Sequence, residues 1–252
     1  MRLYNAIIST CLIVVAAALH NTFTAEEAKR GIASCSNLVQ GLLQEDCEYM
    51  SRIGVDGMGF NDWNNNGKIW IGGDGPNIFT FANQADVPVI LLIWLDVDFD
   101  SSFVRTRKPY VTYSLPNPGD TVVVSIDDGI SGAFAALYDR TTPLTPYGQV
   151  YNTWGEFTSG PYATINVSRE PNMGGNSMEI VTGGGCVSNM DTCVFKCYGN
   201  DVCWQDNTYY LKDCEAGSQP GNPHIGYDAK GQPQGGCGGW ENGGVVQIDF
   251  LN

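Results

Sequence analysis

The sequence predicts an all-β protein, an antiparallel β-sandwich with a short N-terminal helix and a disulfide-rich loop lobe. Three observations carry this. Residues 117–158 break into β-prone runs, Pro118-Gly-Asp-Thr-Val-Val-Val-Ser-Ile-Asp127, Ser131-Gly-Ala-Phe-Ala-Ala-Leu-Tyr138 and Asn152-Thr-Trp-Gly-Glu-Phe-Thr158. Each is bounded by Gly, Pro, Asn or Asp, as consecutive antiparallel strands joined by tight turns are. Helical spacing is confined to residues 34–53. Six cysteines fall between residues 186 and 237, where Gly is frequent and the apolar content thin, so crosslinks are expected to hold that lobe. A chain of 252 residues buries a good core, and one sandwich domain over 31–252 is expected.

The N-terminus reads as an export signal. Arg2 precedes an apolar run from Ala6 to Leu19 that is too short to span a bilayer, and Ala16-Ala17-Ala18 supplies a small-residue cleavage site, giving a signal peptide over 1–18. Lys29-Arg30 is a dibasic processing site that would make 19–30 a propeptide; cleavage after Ala25 is the alternative. Export to the extracellular space or cell wall implies an oxidising compartment. Of nine cysteines, Cys11 lies in the signal, and Cys35, Cys47, Cys186, Cys193, Cys197, Cys203, Cys214 and Cys237 are expected as disulfides in pairings the sequence leaves open. The full chain carries a formal charge of −14, and from Gly31 onward 10 basic residues face 25 acidic ones, a net −15. That excludes nucleic acid and anionic membranes as partners. A monomer without membrane insertion and without a cofactor is expected.

Residues 34–53 form the helical candidate: Leu38, Leu42 and Leu43 recur at helical spacing, Ser34 can cap, and Gly54 can stop it. Cys35 and Cys47 lie too far apart along a straight helix to bond, so they need other partners or a break near Gly41. Asp62-Trp-Asn-Asn-Asn-Gly67 resembles the start of an EF-hand loop, with Asp62, Asn64 and Asn66 in ligand positions. Gly73 stands where a bidentate Glu is required, however, and a plain Asn/Gly turn is the simpler reading.

Residues 78–83 read as a strand, and residues 87–100 as a longer one whose first half is apolar on both faces and therefore central. Asp96, Asp98 and Asp100 then alternate, placing three carboxylates on one face, a weak candidate for a divalent cation or simply a solvated face. Arg105, Arg107 and Lys108 form the one basic cluster of the mature chain. Strands are expected over 110–115, 121–127 and 133–138, with residues 116–119 as a turn, and a last strand over 245–251. Asn166-Val-Ser168 is an N-glycosylation sequon, which requires an exposed Asn.

The order Gly-Asp-Thr with alternating Val, Ser-Gly-Ala-Phe, Thr-Trp-Gly-Glu-Phe, Met178-Glu-Ile180 and a Cys-rich segment resembles a secreted fungal allergen family typified by Aspergillus allergen Asp-f-four. At greater distance, Trp-Gly-Glu-Phe-Thr and Asn166-Val-Ser168 are similar to the Ala-Glu-Phe-Thr and Tyr-Asp-Val-Ser segments of thaumatin-like proteins. The resemblance implies a thaumatin-like sandwich and an allergen- or effector-like secreted protein. Some thaumatin-like proteins act on β-1,3-glucan, and glycoside hydrolysis needs two nearby carboxyls. Carried over, the first family acid falls on Glu156, the second on Asn166 and the third on Pro171. Glu170 sits beside the third position, where a one-residue shift on a strand turns a side chain to the opposite face.

No other catalytic constellation is present. His224 is the single mature histidine, no thiol nucleophile survives oxidation, and no nucleophile-elbow motif occurs. Trp63, Trp70, Trp154 and Trp240 cannot be sorted into core and surface. The preferred reading is therefore a non-enzymatic secreted protein binding a polysaccharide or host protein. The alternatives are a glucan hydrolase using Glu156 with Glu170 or with one of Asp96, Asp98 and Asp100, and a structural wall protein.

Overall fold

The computed structural model describes residues 35–96, 108–241 and 243–252. The expected signal and propeptide, and Asp98, Asp100, Arg105 and Arg107, lie outside them.

Helix α1 spans Gln44–Ile53, beginning ten residues later than the leucine spacing predicts. The cause lies at Gly41, whose φ of +89° is a left-handed conformation, and Leu43 is extended at the N-cap. Glu45 and Asp46 in the first turn and Arg52 in the last complement the helix dipole. Gly54, in the left-handed region, donates its N–H to Met50 and Ser51 and ends the helix as expected. The break at Gly41 folds the chain back so that Cys35 and Cys47 bond each other at a Cα separation of 5.8 Å.

The strands follow in order: β1 Ile69–Ile71, β2 Asn77–Asn83, β3 Val89–Leu95, β4 Val111–Leu115, β5 Thr121–Ile126, β6 Ser131–Tyr138, β7 Trp154–Thr158 and β8 Thr164–Ser168. The Cys-rich part adds β9 Met178–Thr182, β10 Val187–Ser188, β11 Val194–Cys197, β12 Tyr209–Lys212, β13 His224–Tyr227 and β14 Pro233–Gly236. Strand β15, Val245–Phe250, closes the chain. Among the described residues these make a six-stranded sheet ordered β1-β5-β2-β15-β9-β10 and a seven-stranded sheet ordered β12-β11-β8-β7-β6-β3-β4. A separate ribbon pairs β13 with β14.

The fold is thus the expected all-β sandwich, with two differences. The pairs β15–β2 and β11–β8 are parallel. The segment expected as a loop lobe also contributes strands to both sheets. Its crosslinks are Cys186–Cys237, Cys193–Cys214 and Cys197–Cys203, and four of these cysteines belong to the sandwich core, so the apolar content they add offsets the thin run of large side chains.

Strand β3 explains its own doubly apolar sequence. Leu91, Ile93 and Leu95 face the other sheet, whereas Ile90, Leu92 and Trp94 form a second cluster with Met50, Tyr49 and Leu42 of the N-terminal segment. Between the sheets, Phe81 meets Phe134 edge-on at 5.0 Å, and Phe79 meets both Phe157 and Trp240 at 5.3 and 5.4 Å. Of the tryptophans, Trp70, Trp154 and Trp240 are core, and Trp63 is exposed.

Gly155 in β7 lies directly against the Phe134 ring, leaving no room for a Cβ. Gly155→Ala is expected to lower stability by about 1–3 kcal/mol through overpacking, read as a reduced denaturant midpoint at unchanged slope.

Candidate functional site

The outward face of the seven-stranded sheet is divided in two. Helix α1 and the loop after β6 cover the β3–β6 end, where Trp94 stacks on Trp154 at 5.5 Å. The β7–β8 end is left open. Strand alternation then decides what faces outward: Phe157, Ile165 and Val167 turn into the sandwich, and Glu156, Thr158, Asn166 and Ser168 turn out. The pairing sets Glu156 opposite Asn166.

These side chains floor a cleft of about 460 Å³. One wall is the β13–β14 ribbon at Pro233–Gly235; the other is the turn carrying Glu170 and Pro171 with the loop at Cys203 and Trp204. No Lys, Arg or His lines it.

Glu170 is where sequence reasoning failed in an informative way. Strand β8 ends at Ser168; counted on from the outward Asn166 and Ser168, position 170 has the same outward parity, so its offset from the family position at Pro171 did not send it to the far face, and Glu170 lines the same cleft as Glu156. The turn is pinned by the Cys203 N–H, which donates to the Glu170 carbonyl at 2.9 Å, and Cys203 is itself crosslinked to Cys197. Arg169, next in sequence, gives its guanidinium to the backbone carbonyls of Met173 and Met190.

Burial pushes the Glu156 carboxyl up to about 7, against an ordinary 4.5, while the Ser168 hydroxyl pulls it partly back. Glu170 is raised well above its ordinary value by burial and then by the charge on Glu156. The Tyr209 hydroxyl, which also lines the cleft, is pushed up to about 12 by burial and by Glu170. Burial and mutual repulsion thus keep these two carboxyls protonated to a higher pH than isolated glutamates.

The remaining candidates sort as follows. Asp96 lines the cleft at the end of β3; Asp98 and Asp100 lie outside the described residues, so the three-carboxylate face has one visible member. Asp62 is elsewhere, in an exposed turn, where its Oδ2 accepts from Asn66 Nδ2 at 2.7 Å. Gly67 and Lys68 donate to Asn65 and Asn66 there, which makes it the Asn/Gly turn. Asn166, read as a glycan acceptor, is only 6% exposed and donates through Nδ2 to the Gly235 carbonyl. A glycan on that nitrogen would break the bond and fill the cleft, so the acceptor reading does not fit the folded chain. His224 is exposed on β13, outside the cleft. The sulfurs of Cys186, Cys193 and Cys237 cluster within 4.8 Å, but all three are in disulfides and offer a metal no thiolate.

Sequence reasoning missed Trp204 and Tyr147. Trp204 is 55% exposed at the cleft and meets the equally exposed Tyr147 at 6.0 Å, edge to face. The available signal was its neighbour: Trp204 directly follows Cys203, the end of a disulfide loop of sequence separation 6, so the backbone beside it is anchored.

No family model and no curated protein matches the sequence. Among solved structures, that of the thaumatin-like xylanase inhibitor TLXI is similar at 14% sequence identity and a TM-score of 0.32, covering 68% of this chain and 97% of that one. A likeness at this level does not define a family for the chain.

A carboxyl whose pKa is raised by folding favours the folded state while protonated. Its contribution is fully present below about 4.5 and is lost as pH rises through about 7. Glu156→Gln is therefore expected to leave stability little changed near pH 4 and to raise it above pH 7, measured as denaturant midpoints across that range.

Proposed function

We propose that this is a secreted glycan-binding protein, acting at a cell wall or on a host surface through the cleft between the β13–β14 ribbon and the Trp204 loop. The observation that carries the reading is the composition of that cleft. Its floor offers hydroxyl, amide and carboxyl groups at Thr158, Asn166, Ser168 and Glu156, and its rim an exposed indole. Sugars present hydroxyls around an apolar ring face, and this surface meets both. The absence of cationic lining favours a neutral glycan over a uronic or sulfated one. The setting is supported by four disulfides among the described residues, which suit an oxidising compartment, and by the resemblance to secreted fungal allergens. No helix of the described residues is long and apolar enough to cross a membrane.

Two carboxyls in one cleft, both raised above their ordinary range, favour a second reading, hydrolysis of the bound glycan. One carboxyl would protonate the leaving oxygen while the other acts as base or nucleophile, the division of labour that glycosidic cleavage requires. Two of the three acids of the thaumatin-like pattern are missing in sequence, but Glu170 restores a second acid to the cleft from the turn.

Co-sedimentation with insoluble β-1,3-glucan, chitin and cellulose, with released sugar assayed in the same supernatants, separates the readings. Binding to at least one polymer is expected, weakened about twofold to tenfold by Trp204→Ala. If sugar is released, Glu156→Gln should lower the rate by about two orders of magnitude or more with binding retained. Binding without release establishes the non-enzymatic role, and failure to bind any of the polymers overturns the glycan reading.

A further inference from the structure

A second hollow adjoins the cleft. It is a crevice of about 370 Å³ between the edge strand β12 and the β13–β14 ribbon. Tyr209 and Pro233 line both spaces, so a single side-chain wall separates them. Beyond it lie Tyr198, Tyr210 and Tyr227; Tyr198 and Tyr227 are 61% and 68% exposed, and Tyr198 stacks on Tyr210 at 4.7 Å. Two exposed and two half-buried tyrosines therefore gather at one crevice, an apolar surface of the kind that meets a partner.

The crevice is a built feature. The Asn207 N–H donates to Gln232 Oε1 at 2.6 Å, tying the turn before β12 to the ribbon. The Gln232 and Lys230 N–H groups both donate to Asp228 Oδ1, fixing the ribbon's own turn. Tyr210 and Tyr227 are therefore held on two elements that are fastened to each other, and Tyr198 follows β11, which pairs with β12.

We propose that this crevice is a second subsite for the glycan seated in the cleft, so that one neutral polysaccharide chain runs from Glu156 past Tyr209 and Pro233 onto Tyr227 and Tyr198. The inference rests on the glycan reading of the cleft. Three observations favour a sugar chain as the occupant. The hollow adjoins the cleft across the shared residues Tyr209 and Pro233. Its rings carry hydroxyls, joining stacking with hydrogen bonding, whereas Leu211 and Ile225 are the only aliphatic side chains lining it besides Pro233. Glu215 is its one charged lining residue, so neither hollow offers an anionic polymer a counter-charge. Strands β8 and β12 are two spacings apart, about 10 Å, so a ligand touching both Asn166 and the tyrosines must be longer than one sugar ring.

The test is the affinity of the full protein for short and long β-1,3-gluco-, chito- and cello-oligosaccharides by titration calorimetry, comparing wild type, Tyr227→Ala and Tyr227→Phe. Tyr227 is exposed, and matching thermal melts establish that the variants are folded. In the wild type, affinity is expected to keep rising from disaccharides to octasaccharides, with the last part of the rise worth about threefold to tenfold. Tyr227→Ala should abolish that last gain and leave disaccharide binding unchanged, while Tyr227→Phe, which keeps the ring, should retain most of it. Wild-type binding without a length-dependent gain, or a Tyr227→Ala loss equal at every length, overturns the second subsite and leaves the cleft reading standing. No binding at any length, with Trp204→Ala indistinguishable from wild type, overturns both.

Discussion

The site depends on the register between β7 and β8. Phe157, Ile165 and Val167 are committed to the sandwich core, and a slip of one residue would exchange the faces, exposing them and burying Glu156 and Asn166 among phenylalanines. The hydrophobic drive that packs Phe157 against Phe79 is thus what holds a carboxyl on the outward face. Gly155, with no Cβ, leaves room for the far end of the Phe134 ring against that strand.

What converts an outward sheet face into a cleft is partial cover. The N-terminal segment is clamped onto the β3–β6 end by more than apolar contact. Asp46, 1% exposed, pairs with Arg140 Nε at 2.6 Å and accepts from the Ser114 hydroxyl at 2.5 Å. Removing Arg140 would leave the Asp46 carboxylate buried without its cation, which is the costly way to break such a pair. At the opposite end the ribbon and the Cys197–Cys203 loop rise as walls. The sheet supplies the floor, and elements far apart in sequence supply the sides.

That division accounts for how far the sequence could be read. Strands were legible because their side chains obey a period of two, and Glu156 was legible because it sits inside such a run. The central, doubly buried character of β3 followed from Val89–Leu95 being apolar throughout. The helix start was missed because leucine spacing continued across Gly41, where one backbone angle overrides side-chain periodicity. The facing of Glu170 was missed because it was judged against Pro171, whereas counting by twos from Asn166 and Ser168 gives it their outward face. Asn166 was read as exposed because a sequon carries no information about the ribbon that later folds over it. Trp204 and Tyr147 meet only in the folded chain, across 57 positions of sequence.

The contrast between the buried Asp46 and the half-buried Glu156 and Glu170 shows which of them serve the fold. Asp46 is answered by a guanidinium and a hydroxyl and locks the helix in place. Glu156 and Glu170 have no cation among the residues that line their cleft, and the nearest arginine in sequence, Arg169, is engaged with backbone carbonyls. Burial and mutual repulsion raise both, so each is a cost to the folded state at neutral pH that an apolar or amide side chain would not impose. Fold stability alone gives no reason for such a pair. On the glycan reading proposed above, the pair has a role: held partly protonated, it can both donate to and accept from a ligand's hydroxyls.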